Sequence, residues 1–242
     1  VHVGTIGRTA TEDVTEEDLR CTASAEIAVR GLISEHRLDA LTYQFTAFGD
    51  DERSPTVPFV AASRLMAEGI GFGGEGDLIA AAGTAFFNWL RRPASFSEIF
   101  TIDFAGESLF LSHMGEANVA MARRDRQVPL VARPTPITRT RGRQLALVTS
   151  FEPGPATLAA LTLGPGAKWR LIASPMAIED FGPLPGFCVP HFKLKPASGD
   201  VRHFLTAYAK AGGPHHNGVL LGDARRRLQL AASLIGADYL EV

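Results

Sequence analysis

Apolar positions recur at helical spacing from Leu19 through Ala23 and Ile27 to a cluster at 29–33, behind Thr15 and the acids Glu16, Glu17 and Asp18. A hydroxyl cap followed by first-turn acids satisfies free N–H groups and opposes the helix dipole, so the pattern predicts a helix ending near His36. Residues 40–48 are β-branched and aromatic without charge, which predicts a buried strand. Helices are predicted over 59–68 and 77–90. Between them lies Gly71-Phe72-Gly73-Gly74-Glu75-Gly76-Asp77, read as a loop whose glycines present the Glu75 carboxylate.

The rhythm changes after Arg91-Arg92-Pro93. Strand-like runs at 100–104, 108–112, 129–133, 144–151, 156–163 and 167–173 are separated by Gly and Pro turns, the pattern of an antiparallel sheet or barrel. Residues 183–196 read as a proline-punctuated connection. A helix over 199–210 is expected with Ser198 as cap and Gly212-Gly213 as stop. Asp223 is expected to open a last helix with Leu228, Ala231, Leu234 and Ile235 inward, followed by a short strand at 239–242. The expected architecture is a partial, Rossmann-like α/β layer over 1–92, followed over 93–242 by a mostly antiparallel, β-barrel-like domain with flanking helices.

Composition narrows the function classes. The 242 residues are 45% hydrophobic, and 24 Lys and Arg against 26 Asp and Glu leave a net charge of -2, which favours neither nucleic acid nor an anionic membrane. A small neutral ligand suits this balance better. Cys21 and Cys188, far apart and without CxxC spacing, are expected to be reduced. The absence of a charged leader and of a long apolar run makes the cytoplasm the default location. Val1-His2-Val3-Gly4 begins without Met, so the chain is expected to be a piece of something longer.

Hard divalent cations take carboxylate oxygens, and imidazole adds selectivity toward manganese, cobalt, iron or zinc. Glu75, Glu98, His113 and His216 each fall at the end of an element, where function collects. Each also has a structural reading: Glu98 as a first-turn helix acid, His113 bonded to a backbone carbonyl, and His216 as one of two loop histidines. Their spacing matches no short metal motif, and His2, His36, His191 and His203 are equally available.

Gly71 to Asp77, Leu109-Phe110-Leu111-Ser112-His113-Met114, Gly154-Pro155-Ala156 with Trp169-Arg170-Leu171, and Ala211-Gly212-Gly213-Pro214-His215-His216 occur in an order that resembles the L-arabinose isomerase family. The resemblance implies that Glu75, Glu98, His113 and His216 bind a divalent metal, usually Mn2+. It places the family's substrate-site phenylalanine on Phe48 and puts Phe100 where the family has tyrosine. It also implies homo-oligomeric assembly, and a small-molecule sugar as substrate in place of a nucleic acid or membrane. Glu98 carries the least specific match. The family's N-terminal α/β domain, which helps cover a neighbouring subunit's site, has no counterpart in these residues.

The chemistry so implied is metal-dependent aldose-ketose isomerisation through a cis-enediol, with Glu75 and Glu98 as acid and base and His215 bonding sugar hydroxyls. The alternatives are a non-catalytic or truncated metal- or sugar-binding relative, and another metal-dependent sugar isomerase or epimerase at the same site.

Overall fold

The computed structural model describes residues 11, 13–49, 53–90, 93–133 and 138–242. Asp50-Asp51, the Arg91-Arg92 step where the sequence places a domain boundary, and the first four residues lie outside the described residues.

Thr15 caps α1 (Glu16–His36) reciprocally: its hydroxyl accepts the Asp18 N–H, and the Asp18 carboxylate accepts the Thr15 N–H. The next strand is shorter than expected. β1 spans only Ala40–Thr42, and Phe45–Ala47 form a 3-10 turn that carries Phe48 away from the sheet. α2 (Phe59–Glu68) follows, closed by Gly69 in the left-handed conformation.

The glycine run is not wholly a loop. Gly71–Gly73 form β2, buried and parallel to β1, and the chain then turns through Gly74, Glu75 and Gly76 into α3 (Leu78–Leu90). A Cβ on Gly71 would sit 2.4 Å from the Ala81 carbonyl oxygen, and one on Gly73 would sit 2.2 Å from that of Asp77. These two glycines let β2 press against its own following helix. Among the described residues the α/β portion contains only this two-stranded parallel ladder, so the larger parallel sheet of a Rossmann-like layer is not seen.

The barrel is closed. β3 (Ala94–Asp103), β4 (Ser108–Ser112), β7 (Gly154–Leu163), β8 (Trp169–Ile178), β9 (His191–Pro196) and β10 (His216–Leu221) run in the order β8-β7-β10-β3-β4-β9, and β8 pairs β9 to complete the circle. All six pairings are antiparallel, and closure leaves no unpaired edge within the ring. The final strand, β11 (Asp238–Glu241), adds in parallel to β8. A separate hairpin of β5 (Leu130–Arg133) and β6 (Gln144–Leu147) packs Leu130, Leu145 and Leu147 against Val60 of α2 and Leu19 of α1.

Several expectations are corrected here. β3 begins at Ala94 rather than at residue 100, so Glu98 lies inside a strand and is no helix acid. The expected connection at 183–196 contains β9, and His216 opens β10 rather than lying in a loop. Asp200, not Ser198, caps α4 (Val201–Lys210) through the His203 N–H. In α5 (Arg225–Ile235) Leu228 and Ala231 are buried as expected, but Leu234 is 87% exposed and Ile235 half exposed. The inward stripe stops short of the helix C-terminus.

α3 joins the two parts. One face receives β2, and Phe87 on another reaches the barrel cluster of Ala94, Ala159, Leu171 and Leu220. Gly218 of β10 makes room for that ring, since a Cβ there would meet Phe87 Cδ2 at 2.5 Å. A ring so fully buried contributes about 3–5 kcal/mol by the usual cost of its truncation. Cys21 and Cys188 are free thiols, and no described helix is long and apolar enough to cross a membrane.

Candidate metal centre

Strand register assembles the site. In the β3–β10 ladder Glu98 stands directly opposite His216, and in the β3–β4 ladder it stands opposite Ser112, the residue before His113. Opposed residues in an antiparallel pair share a face. That puts Glu98 and His216 on one face; His113 comes just past the last residue of β4, and the ligand atoms of all three lie within 4.8 Å of one another. Phe96, two residues before Glu98 and on the same face, floors the pair, with its ring centroid 4.8 Å from that of His113 and 5.1 Å from that of His216.

Glu75 enters from the α/β side. It holds φ +59, a conformation that L side chains adopt reluctantly, and its Oε2 lies 3.8 Å from His216 Nε2. It forms a second three-residue group with His215 and His216 and is absent from the Glu98-centred group. Three of the four sequence candidates therefore come together, with Glu75 joining them through His216. Gly74 is pressed against the site, where a Cβ would sit 2.6 Å from His113 Nε2 and 3.1 Å from Phe96 Cζ.

Both buried imidazoles are held at Nδ1 by a carboxylate. Glu116 Oε2 is 2.6 Å from His113 Nδ1, and Asp77 Oδ2 is 3.0 Å from His216 Nδ1. Each Nε2 is buried without a hydrogen-bond partner. Burial opposes charge on His113, but Glu116 foremost, then Glu98 and Glu75, hold its pKa above the ordinary value. The other oxygen of Glu116 accepts the Tyr43 O–H at 2.5 Å, and burial together with Glu116 keeps that phenol protonated far above its usual range.

The remaining sequence candidates lie around this core. His215 is exposed, with its ring 4.2 Å from His216 by centroids. Phe100 is 56% exposed at a register shift in β3, and the Ile99 N–H donates to the His215 carbonyl. Phe48 packs edge-on against Tyr43, and both line a cavity of about 680 Å3 whose walls include Ala25, Val29, Leu32 and Leu78 but none of the metal candidates. Glu116, Tyr43 and the orienting role of Asp77 escaped the sequence reading. The one available signal was a carboxylate three residues after a candidate histidine.

The sequence model of the L-arabinose isomerase C-terminal domain matches residues 93–238, and that of the central domain matches residues 5–91. The chain belongs to the L-arabinose isomerase family. It is similar to the L-arabinose isomerase of Acidothermus cellulolyticus, 29% identical over 93% of this chain and 44% of that protein. The protein of that name from Nocardioides sp. is 30% identical over 93% of this chain and 45% of its own length. L-arabinose isomerase 2 of Bacillus licheniformis is 27% identical, with coverage of 94% and 47%. The chain thus spans less than half the length of these relatives.

Proposed function

We propose that the chain carries the metal- and substrate-binding part of an aldose-ketose isomerase, the class of activity named in its L-arabinose isomerase relatives. The observation that carries this reading is the pair of buried, unpartnered Nε2 atoms of His113 and His216 grouped with Glu98. Buried polar atoms without partners cost free energy, and two imidazoles beside a carboxylate suit a divalent ion such as Mn2+. Glu98, His113 and His216 would hold that ion, with Glu75 completing the set. When bound, it supplies Lewis-acid polarisation of adjacent sugar oxygens.

The reaction moves the C2 proton of an open-chain aldose to C1 while a hydroxyl proton passes from O2 to O1, through a cis-enediol. Glu75 and Glu98 divide these transfers as acid and base, approaching from the α/β turn and from β3 respectively. His215 bonds sugar hydroxyls, and Phe48 and Phe100 contribute apolar walls. Phe96 keeps water from the inner side of both imidazoles. Further copies in a homo-oligomer complete the cover over the sugar.

Incubation with Mn2+ and L-arabinose, D-galactose or L-fucose, followed by ketose assay, tests this function. Mn2+-dependent ketose that disappears in Glu98→Gln and His216→Ala supports it. The absence of both Mn2+ binding and ketose overturns it. A second reading, a metal- or sugar-binding relative without turnover, would be selected by Mn2+ binding without ketose from any of the sugars.

A further inference from the structure

A neutral imidazole can offer only one nitrogen as a ligand, and the hydrogen bond at the other nitrogen decides which one. At His113 that bond goes to Glu116. With Nδ1–H donating to Glu116 Oε2 at 2.6 Å, the neutral imidazole presents its Nε2 lone pair to the site.

Glu116 is itself fixed on every side. It is 2% exposed, on a loop whose Ala117 N–H donates to Ser63 Oγ on α2. In the same loop the Asn118 side chain donates to the Met66 and Ala94 carbonyls. Arg133 donates to the Met114 carbonyl and lies within electrostatic reach of Glu116. The remaining Glu116 oxygen is taken by Tyr43, which follows β1 in the α/β portion. Two residues that touch no proposed ligand atom except at His113 Nδ1 therefore control how a barrel histidine faces the site.

We infer that Tyr43 and Glu116 are positioning residues that hold His113 in its Nδ1–H form with Nε2 aimed at the ion, so that metal affinity is set partly from the α/β portion. The inference rests on the proposed metal centre. Stability alone gives little reason for this pair, because burying a carboxylate and a phenol together is commonly no better than a well-packed apolar pair of similar volume. Placed behind a ligand, the same pair raises the basicity of the imidazole and removes the entropy of ring rotation.

The test titrates the full chain with Mn2+, following free Mn2+ by electron paramagnetic resonance, and reads the His113 tautomer from 15N ring shifts before metal is added. In its neutral form, read at a pH above its raised pKa, wild-type His113 is expected to show the Nδ1–H tautomer. Glu116→Ala is expected to lose that form and to bind Mn2+ about 10–100-fold more weakly, with Tyr43→Phe losing up to about tenfold. Glu116→Gln, whose amide oxygen still accepts from Nδ1–H, is expected to recover the tautomer and part of the affinity, which a purely structural role would not produce. If Glu116→Ala fails to fold, Tyr43→Phe and Glu116→Gln still decide the matter.

Wild-type affinity and tautomer in Tyr43→Phe and in whichever Glu116 variants fold, with binding lost in His113→Ala, would overturn the inference and leave the metal centre standing. Undiminished binding in His113→Ala, or none in wild type, would overturn both.

Discussion

One oxygen of Asp77 lies 3.0 Å from His216 Nδ1 while the other accepts the Ala80 N–H at 2.8 Å, so a single carboxylate caps α3 and orients a candidate ligand. An amide has only one acceptor oxygen and cannot do both. Asp77→Asn is expected to keep the cap and turn its NH2 toward Nδ1, which leaves the hydrogen on Nε2. Mn2+ affinity then falls while the melting temperature stays near that of wild type. Asp77→Ala loses both functions, with a cap cost of about 0.5–2 kcal/mol measurable by urea unfolding.

Gly74→Ala places a methyl carbon 2.6 Å from His113 Nε2, the atom that would meet the ion. The expected outcome is loss of Mn2+ binding with an unchanged far-UV circular dichroism spectrum. The overpacking cost is about 1–3 kcal/mol. Wild-type Mn2+ affinity in this variant would show that the ion sits elsewhere.

Glu75 at φ +59 is already where glycine is at ease. Glu75→Gly should therefore change stability by less than about 1 kcal/mol, because relief of strain and added unfolded-state entropy nearly offset each other. Ketose formation should be lost in the same protein. Glu75→Val, β-branched at a left-handed position, should be clearly less stable by thermal melting.

Asp18 gives the acid limb of stability a defined contribution. Burial pushes its pKa up, but bonds from Thr15 and Arg143 outweigh that and hold it below the usual carboxylate value. A carboxylate with a lowered folded pKa contributes stability above its unfolded pKa of about 3.9 and loses it as pH falls through the folded value. Asp18→Asn is expected to flatten the loss of stability below about pH 4, measured by urea unfolding across pH. An unchanged slope would show that Asp18 is not depressed.

How legible an element was depended on its surroundings. α1 was readable because Thr15 and the acids after it mark the helix start and its buried residues keep to one face. Ala94-Ser95-Phe96-Ser97 is buried at every position, between the barrel interior and α3, so no alternation marks it as strand. His216-Asn217-Gly218 resembles a turn, although it opens a strand buried at five of its six positions. These two invisible segments pair with each other, which is why the Glu98–His216 opposition could not be found by counting residues. The ligand candidates were reached through motif resemblance. Glu116 and Tyr43 were missed because a carboxylate acquires its role from the imidazole it meets in space.

The position of Glu75, which reaches toward the barrel's His216 Nε2 from the α/β turn, makes occupancy a mechanical matter as well as a chemical one. A guest bound to both sides behaves as a rivet between sheet and barrel, and its binding free energy becomes cohesion of the folded chain. At a free concentration one hundred times its dissociation constant that cohesion amounts to about 2.7 kcal/mol. Heating the chain with and without Mn2+ would read that cohesion directly, before any sugar is added.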